Sequence, residues 1–144
     1  MMIDLHNVIE KYSMNITGVI HIGGHIGNEY DEYVKIPSIE NMVFFEPDPD
    51  NFPKLKDRIG QDKRCICVNR AVGPFSGEAT LHRESNNTGQ SNSILEPHIH
   101  TQIYPGIVFN DKLKVKLEPL DKYQPSPKLN FINMDVQGAE LNVL

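Results

Sequence analysis

The 144-residue sequence has only two cysteines, no cluster of lysine and arginine, and no long apolar run. Each shortage removes a class of protein. Cys65 and Cys67 stand two apart in "CICVN", which reads as a strand, so both side chains point to one face. A bridge between them is strained and one C-x-C lacks the second ligand pair of a zinc site, so both read as small core residues. The net charge is −5 and the basic residues are scattered. No surface therefore follows a phosphate backbone, and no nucleic-acid partner is expected. No apolar segment approaches bilayer length, and "MMIDLHNVIEKY" has neither the basic nor the apolar region of a signal peptide. No membrane contact and a cytoplasmic location are the expectation, which leaves the glycosylation-type triplets Asn15-Ile16-Thr17 and Asn86-Asn87-Thr88 without meaning.

What is present suits one globular domain over residues 1–144: apolar content is 39% and charged content 23%, with no internal repeat or linker. Met2, Leu5, Val8, Ile9 and Tyr12 recur at helical spacing and predict an opening amphipathic helix. Residues 17–22 form a β-branched run that ends at glycines, and residues 28–34 then read as a helix with acids in its first turn. Residues 42–46, "MVFFE", predict a second buried strand closed by a carboxylate. Asp48 and Pro49 read as the cap and first position of a helix reaching about Arg58, and residues 65–69 as a third strand. Alternating strands and helices call for a parallel sheet with helices on both faces. "GEATLHR" and "LKVKL" alternate as half-buried strands do, with a long polar segment between them. A proline-rich stretch (Pro119, Pro125, Pro127) leads to a fourth buried strand over residues 129–134, ending at Asp135, and residues 138–144 begin a helix.

The chemistry concentrates in "VIHIGGHIGN". A strand running into a glycine turn and a helix is how α/β proteins approach a nucleotide: glycine permits the tight turn and the close backbone. The dinucleotide fingerprint G-x-G-x-x-G ending at Gly27 requires a glycine where Ile22 stands, so that match is incomplete. Glu46 ends the next strand 19 residues after Gly27, where a carboxylate accepts from both ribose hydroxyls. Turn and acid together point to an adenosine-containing cofactor.

Three blocks in order resemble the FkbM-type S-adenosylmethionine-dependent methyltransferases. "VIHIGGHIGNEY" resembles their first motif, D-V-G-A-N-x-G, and "VFFEPDPDNFPKL" their acid-ending second strand. "LNFINMDVQGAELNVL" is similar to their I-K-I-D-V-E/Q-G-A-E signature, and "NRAVGPFSGEATLH", "SNSIL" and "VKLEPLDKY" are fainter matches. The resemblance implies a Rossmann-like, doubly wound, mostly parallel sheet of the class I methyltransferase kind. It implies S-adenosylmethionine as cofactor and O-methylation of a small hydroxylated acceptor such as a sugar or a natural-product intermediate. By position, Gly23, Gly24 and Gly27 form the turn beside the methionine part, Glu46 binds the ribose, and the backbone near Ala71 lies along the adenine. Asp135 faces the amino end and the substrate, with Gly138 and Glu140 shaping the turn behind it. His21 stands at the usual Asp and His25 at the usual Asn, a position suited to a left-handed backbone. Both join the expected cofactor site, and His21 joins Asp135 as a candidate catalytic group. Arg70 stands where many methyltransferases carry an acid that reads the adenine amine.

The histidines do not predict a metal. His21 ends a strand and His25 sits in a turn, so their spacing is not that of a helical zinc pair. His98 and His100 form an H-x-H in the polar segment, while His6 and His82 are isolated. Two rivals stand beside the methyltransferase: an NAD(P)-binding oxidoreductase with the same strand–helix–strand start, and a non-catalytic remnant that binds cofactor. The family's sheet continues beyond a fourth strand, so the sequence reads as truncated, with the exposed fourth-strand edge open to a second copy.

Overall fold

The computed structural model describes residues 4–86, 89–96, 106–123 and 126–144. His98 and His100 lie outside them, as do Met2, Asn87, Thr88 and Pro125. The elements are α1 (Leu5–Tyr12), β1 (Gly18–Ile22), α2 (Tyr30–Tyr33), β2 (Asn41–Phe45), α3 (Asn51–Ile59), β3 (Cys65–Val68), β4 (Ala71–Val72), β5 (Gly77–Glu84) and β6 (Phe109–Glu118). A 3-10 turn (Leu120–Tyr123), β7 (Phe131–Met134) and α4 (Glu140–Val143) follow.

Four strands form one parallel sheet in the order β3-β2-β1-β7. The chain therefore builds outward from β1 to β3, then returns to the other side of β1. That reversal, between β1 and β7, is where open α/β sheets hold their ligands. The expected adjacency of the first and last parallel strands is present: the N–H of Asp135 donates to the carbonyl of Ile22 at 3.0 Å. A mixed α/β chain on a parallel four-stranded sheet is the architecture that Rossmann-like folds share.

Two features lie beyond what the sequence specified. The alternating segments do not extend the parallel sheet: β5 and β6 pair antiparallel, β4 joins β6 in parallel, and the three make a separate sheet. Period-two alternation marks a half-buried strand but says nothing about its partner. Helices lie on both faces, as expected, but unevenly: among the described residues α4 alone packs on the second. Leu5 and Ile9 of α1, Tyr33 of α2 and Leu55 and Ile59 of α3 all pack with Val19, Met42 and Phe44 on one face. The reason is handedness: two right-handed crossovers stepping the same way, β1 to β2 and β2 to β3, lie on the same side. The second face, carrying Ile20, Ile22 and Phe45, is covered by Val72, Leu120, Tyr123, Leu129 and Val143.

Local chemistry sets the element ends. The Asp4 side chain accepts from the N–H of Asn7 to start α1, and Ser13 in the left-handed region stops it. Tyr12 is thus at the frayed end and exposed, and Met14 packs on the core instead. Asp48 does accept from the N–H of Asp50, 2.8 Å away, yet the regular helix begins only at Asn51. The second oxygen of Asp48 turns inward, so the residue is a buried joint as well as a cap. Cys65 and Cys67 share a face of β3, partly buried against the first core, and burial raises both thiol pKa values, that of Cys65 to about 12. Across the second face the register aligns Ile132, Ile20, Val43 and Ile66 in one row. Ile66 and Ile132, on the two edge strands, are exposed.

Candidate active site

A cleft of about 550 Å³, counting its open mouth, lies at the C-terminal ends of β1 and β2. Ile22, Gly23 and His25 form one wall, Phe45 and Glu46 the next, Arg70, Ala71 and Val72 the far end, and Asp135 and Val136 the opposite side. Leu81 and the segment from Gly89 to Ile94 roof it from the second sheet.

The glycine turn is built for close packing rather than for an anion. Gly23, Gly27 and His25 all have positive φ, at 88°, 82° and 46°. The N–H groups of Gly23 and Gly24 both donate to the carbonyl of Phe45, at 3.0 and 2.8 Å, and Gly27 donates to Gly24. These donors are consumed inside the protein, and α2 is a single turn. The N–H groups of Gly23, Gly24, His25 and Gly27 are thus already engaged and not offered to a dinucleotide pyrophosphate, which is a physical argument against the oxidoreductase reading. Gly24 and Gly27 sit behind the cleft, against Phe44, Leu55 and Ile59, so their smallness lets α3 approach the turn.

Glu46 is the most constrained group in the cleft. It is 6% exposed, and its two oxygens accept from the backbone N–H of His25 (2.7 Å) and of Asp48 (2.8 Å). Burial lifts its pKa to about 7, against the pull of those two N–H groups, with the charge of Asp48 adding to the rise. Each carboxylate oxygen retains a lone pair for a further donor, the complement of a vicinal diol. Asn69, after β3, donates to the carbonyls of Glu46 and Pro47 and so fixes the Arg70–Ala71 wall relative to Glu46.

Asp135 is exposed at the rim, oriented by the Gln137 amide at 2.7 Å. Gln137 and Gly138 are left-handed, at φ 53° and 98°, and the Glu140 side chain accepts from the N–H groups of Val136 and Gly138. This tight turn holds Asp135 against the first-strand glycines.

His21 is placed differently from the other candidates. It does not line the cleft; it is 1% exposed on the α1–α3 face, stacked on Phe44 with ring centroids 5.3 Å apart. Its Nδ1 lies 2.7 Å from the Tyr33 hydroxyl, which also accepts from the Asn133 amide at 2.7 Å. If the hydroxyl donates to Nδ1, the ring's own proton sits on Nε2, on the side of Glu29. Burial drives its pKa to about 4, opposed by the charge of Asp135 and the Gly23 carbonyl, so the ring is neutral. Tyr33→Phe removes the shared hydroxyl and leaves a ring nitrogen and an amide unpaired; urea unfolding should show a loss of about 1–3 kcal/mol. Because the network lies beneath the sheet, ligand affinity of that variant should stay within about threefold of the parent.

The sequence reading missed the roof. Arg83 on β5 pairs with Asp48 at 3.0 Å, with Asp111 at 3.1 Å and with Asp50, clamping the small sheet to the loop after β2. Asn92 donates to Asp48 at 2.7 Å and accepts from the N–H of Glu84. Ser93 pairs with His82 through the backbone and reaches the Gln137 carbonyl with its hydroxyl, at 3.1 Å. The available signal was a charge two residues from Leu81, on the inward face of an alternating strand. Among the described residues no three His, Cys, Asp or Glu side chains gather as a metal site, and no helix is long and apolar enough to cross a membrane.

Comparison with known proteins bears on this cleft. Over 135 residues the chain is 27% identical to 2-O-methyltransferase NoeI of Sinorhizobium fredii, an alignment covering 88% of this chain and 55% of that protein. The chain thus spans about half the length of that curated relative. No solved structure matches it. The family model of the FkbM methyltransferase domain matches residues 21–144, from the end of β1 to the last residue, and the chain belongs to that family.

Proposed function

We propose that the chain binds S-adenosylmethionine in this cleft and serves O-methylation of a small hydroxylated acceptor such as a sugar. The observation that carries the reading is Glu46: a buried carboxylate held by two backbone N–H groups at the end of β2, facing the glycine turn. The residues present suit the cofactor. Glu46 accepts from the ribose hydroxyls, the apolar wall of Phe45, Ala71, Val72 and Leu81 takes the base, and Asp135 offers negative charge to the cationic methionine end. Family membership and the consumed turn N–H groups both speak against nicotinamide chemistry.

The bound cofactor supplies an electrophilic methyl group on a sulfonium. The protein's part is to hold the acceptor in line and to exclude water. Asp135, at the rim and oriented by Gln137, is the group we assign to take the hydroxyl proton. His21 we assign to support of the turn from below, because its ring is neutral and turned away from the cleft. The hydroxyl acceptor is also the choice of the relative, whose name specifies 2-O-methylation.

Calorimetric titration of the chain with S-adenosylhomocysteine tests the binding, and transfer of a labelled methyl group to a panel of sugars tests the reaction. Heat with the former and none with NADH is the expected result. No binding of S-adenosylhomocysteine would sink the proposal, and binding without transfer to any hydroxyl would leave the cofactor-binding remnant as the better reading.

A further inference from the structure

The base end of the cleft carries an arginine whose hydrogen bonding is incomplete. Arg70 follows β3 and lines the cleft beside Ala71. Its Nη1 donates to the carbonyl of Asn69 at 2.7 Å. Its Nε is buried and has no hydrogen-bond partner among the described residues. The nearest carboxylate, Glu118, stands 3.7 Å from Nε, an ion pair beyond hydrogen-bond reach, and its oxygens accept from the Tyr123 hydroxyl at 2.6 Å and the Lys122 ammonium at 2.9 Å. The Arg70 side chain is 29% exposed and lines the cleft, so its terminal nitrogens carry the N–H groups left for a ligand, while Nε is closed off on the side of Glu118.

Arginine offers five N–H donors and no acceptor. A purine with a 6-amino group offers that amine as a donor and its ring nitrogens as acceptors. Arg70 can meet the ring nitrogens; it has nothing to give the amine. A purine with a 6-oxo group instead presents an acceptor at that position, the partner to which arginine bonds well. Arg70 is also held at a fixed distance from the ribose end, because Asn69 ties the start of this wall to the Glu46 carbonyl at 2.8 Å.

Resting on the cofactor reading above, we propose that Arg70 is the residue that sets nucleobase specificity, and that it reads acceptor atoms on the purine edge and not the 6-amino group. The cleft then tolerates a 6-oxo purine in place of adenine, which an acceptor side chain at this position would reject.

Titration with S-adenosylhomocysteine and with its 6-oxo analogue, S-inosylhomocysteine, tests this on the wild-type chain, Arg70→Ala and Arg70→Gln. The wild type should bind the inosyl compound at least as tightly as the adenosyl one. Arg70→Ala should weaken the inosyl compound by about tenfold or more, the effect of losing a charged hydrogen bond. Arg70→Gln, whose amide oxygen accepts from an amine, should shift preference toward the adenosyl compound. Thermal melts of both variants show whether they fold, and the wild-type ratio decides even if one does not. Tight adenosyl binding with tenfold weaker inosyl binding overturns the proposal and leaves the cofactor reading standing, as does an unchanged ratio in folded Arg70→Ala. Failure of both compounds to bind the wild type overturns the two together.

Discussion

Replacing Glu46 by Ala should lower affinity for S-adenosylhomocysteine at least tenfold, since two hydrogen bonds to a charged group are lost at about 1.5–3 kcal/mol each at most. The same substitution should change how stability depends on pH. The Glu46 carboxyl has a folded pKa of about 7 against an ordinary 4.5. The folded state therefore holds its proton more tightly, and the stability this contributes is present below about pH 4.5 and lost as pH rises through 7. His21 is the reverse case, about 4 in the fold against an ordinary 6.5, so its contribution is present above pH 6.5 and lost as pH falls toward 4. Each is worth about 3 kcal/mol at its limit. In the parent chain the two slopes oppose over nearly the same range and largely cancel. Without Glu46 the slope of His21 stands alone. Urea unfolding at pH 5 and pH 8 should show the variant gaining on the parent by about 3 kcal/mol between the two. A gap that does not change with pH would show that the carboxyl is not the buried, shifted group described here.

Gly23→Ala should cost about 3–4 kcal/mol, the largest loss expected from adding a single methyl group to this chain. Gly23 has φ +88°, where a side chain is strained, and a Cβ built on it lands on the carbonyl oxygen of Asp135. That oxygen belongs to the backbone just past β7 and cannot swing aside as a side chain does. Relief requires β7 to separate from β1, which breaks the bond from the Asp135 N–H to Ile22 and moves the rim carboxylate. Gly106→Ala is the control, because a Cβ there meets nothing within 4 Å. Its unfolding midpoint should stay within about 0.5 kcal/mol of the parent. Equal midpoints for both variants would mean that the two strands are not packed this closely.

The parallel half of the fold was legible because its signals are local. Glycine after a β-branched run, and a carboxylate after "MVFF", mark strand ends within a few residues. The second sheet was not legible, because β5 and β6 carry the alternation of any half-buried strand and their pairing is a long-range fact. The position of His21 shows a subtler limit. All five residues of β1 are buried, so polarity does not tell one face from the other. Only the register with β2, which sets His21 beside Phe44, assigns the ring to the helix side. The joint of Asp48 with Arg83 was hidden for the same reason: a loop and a strand 35 residues apart meet only in three dimensions.

The pairing of β1 with β7 also governs the order in which the site comes into being. Residues from β1 to β3 form a compact series of neighbouring contacts, each closed by a short connection. The Asn130 side chain, by contrast, binds the N–H of Thr17 across 113 residues. Closing so long a loop demands chain entropy in advance of any contact that rewards it, and folding slows as such contacts dominate. The Glu46 wall can therefore assemble early, already set against the glycine turn. On the same argument the Asp135 wall is expected to arrive with β7, as a late step. The two walls of one cleft are thus separated in folding order as well as in space.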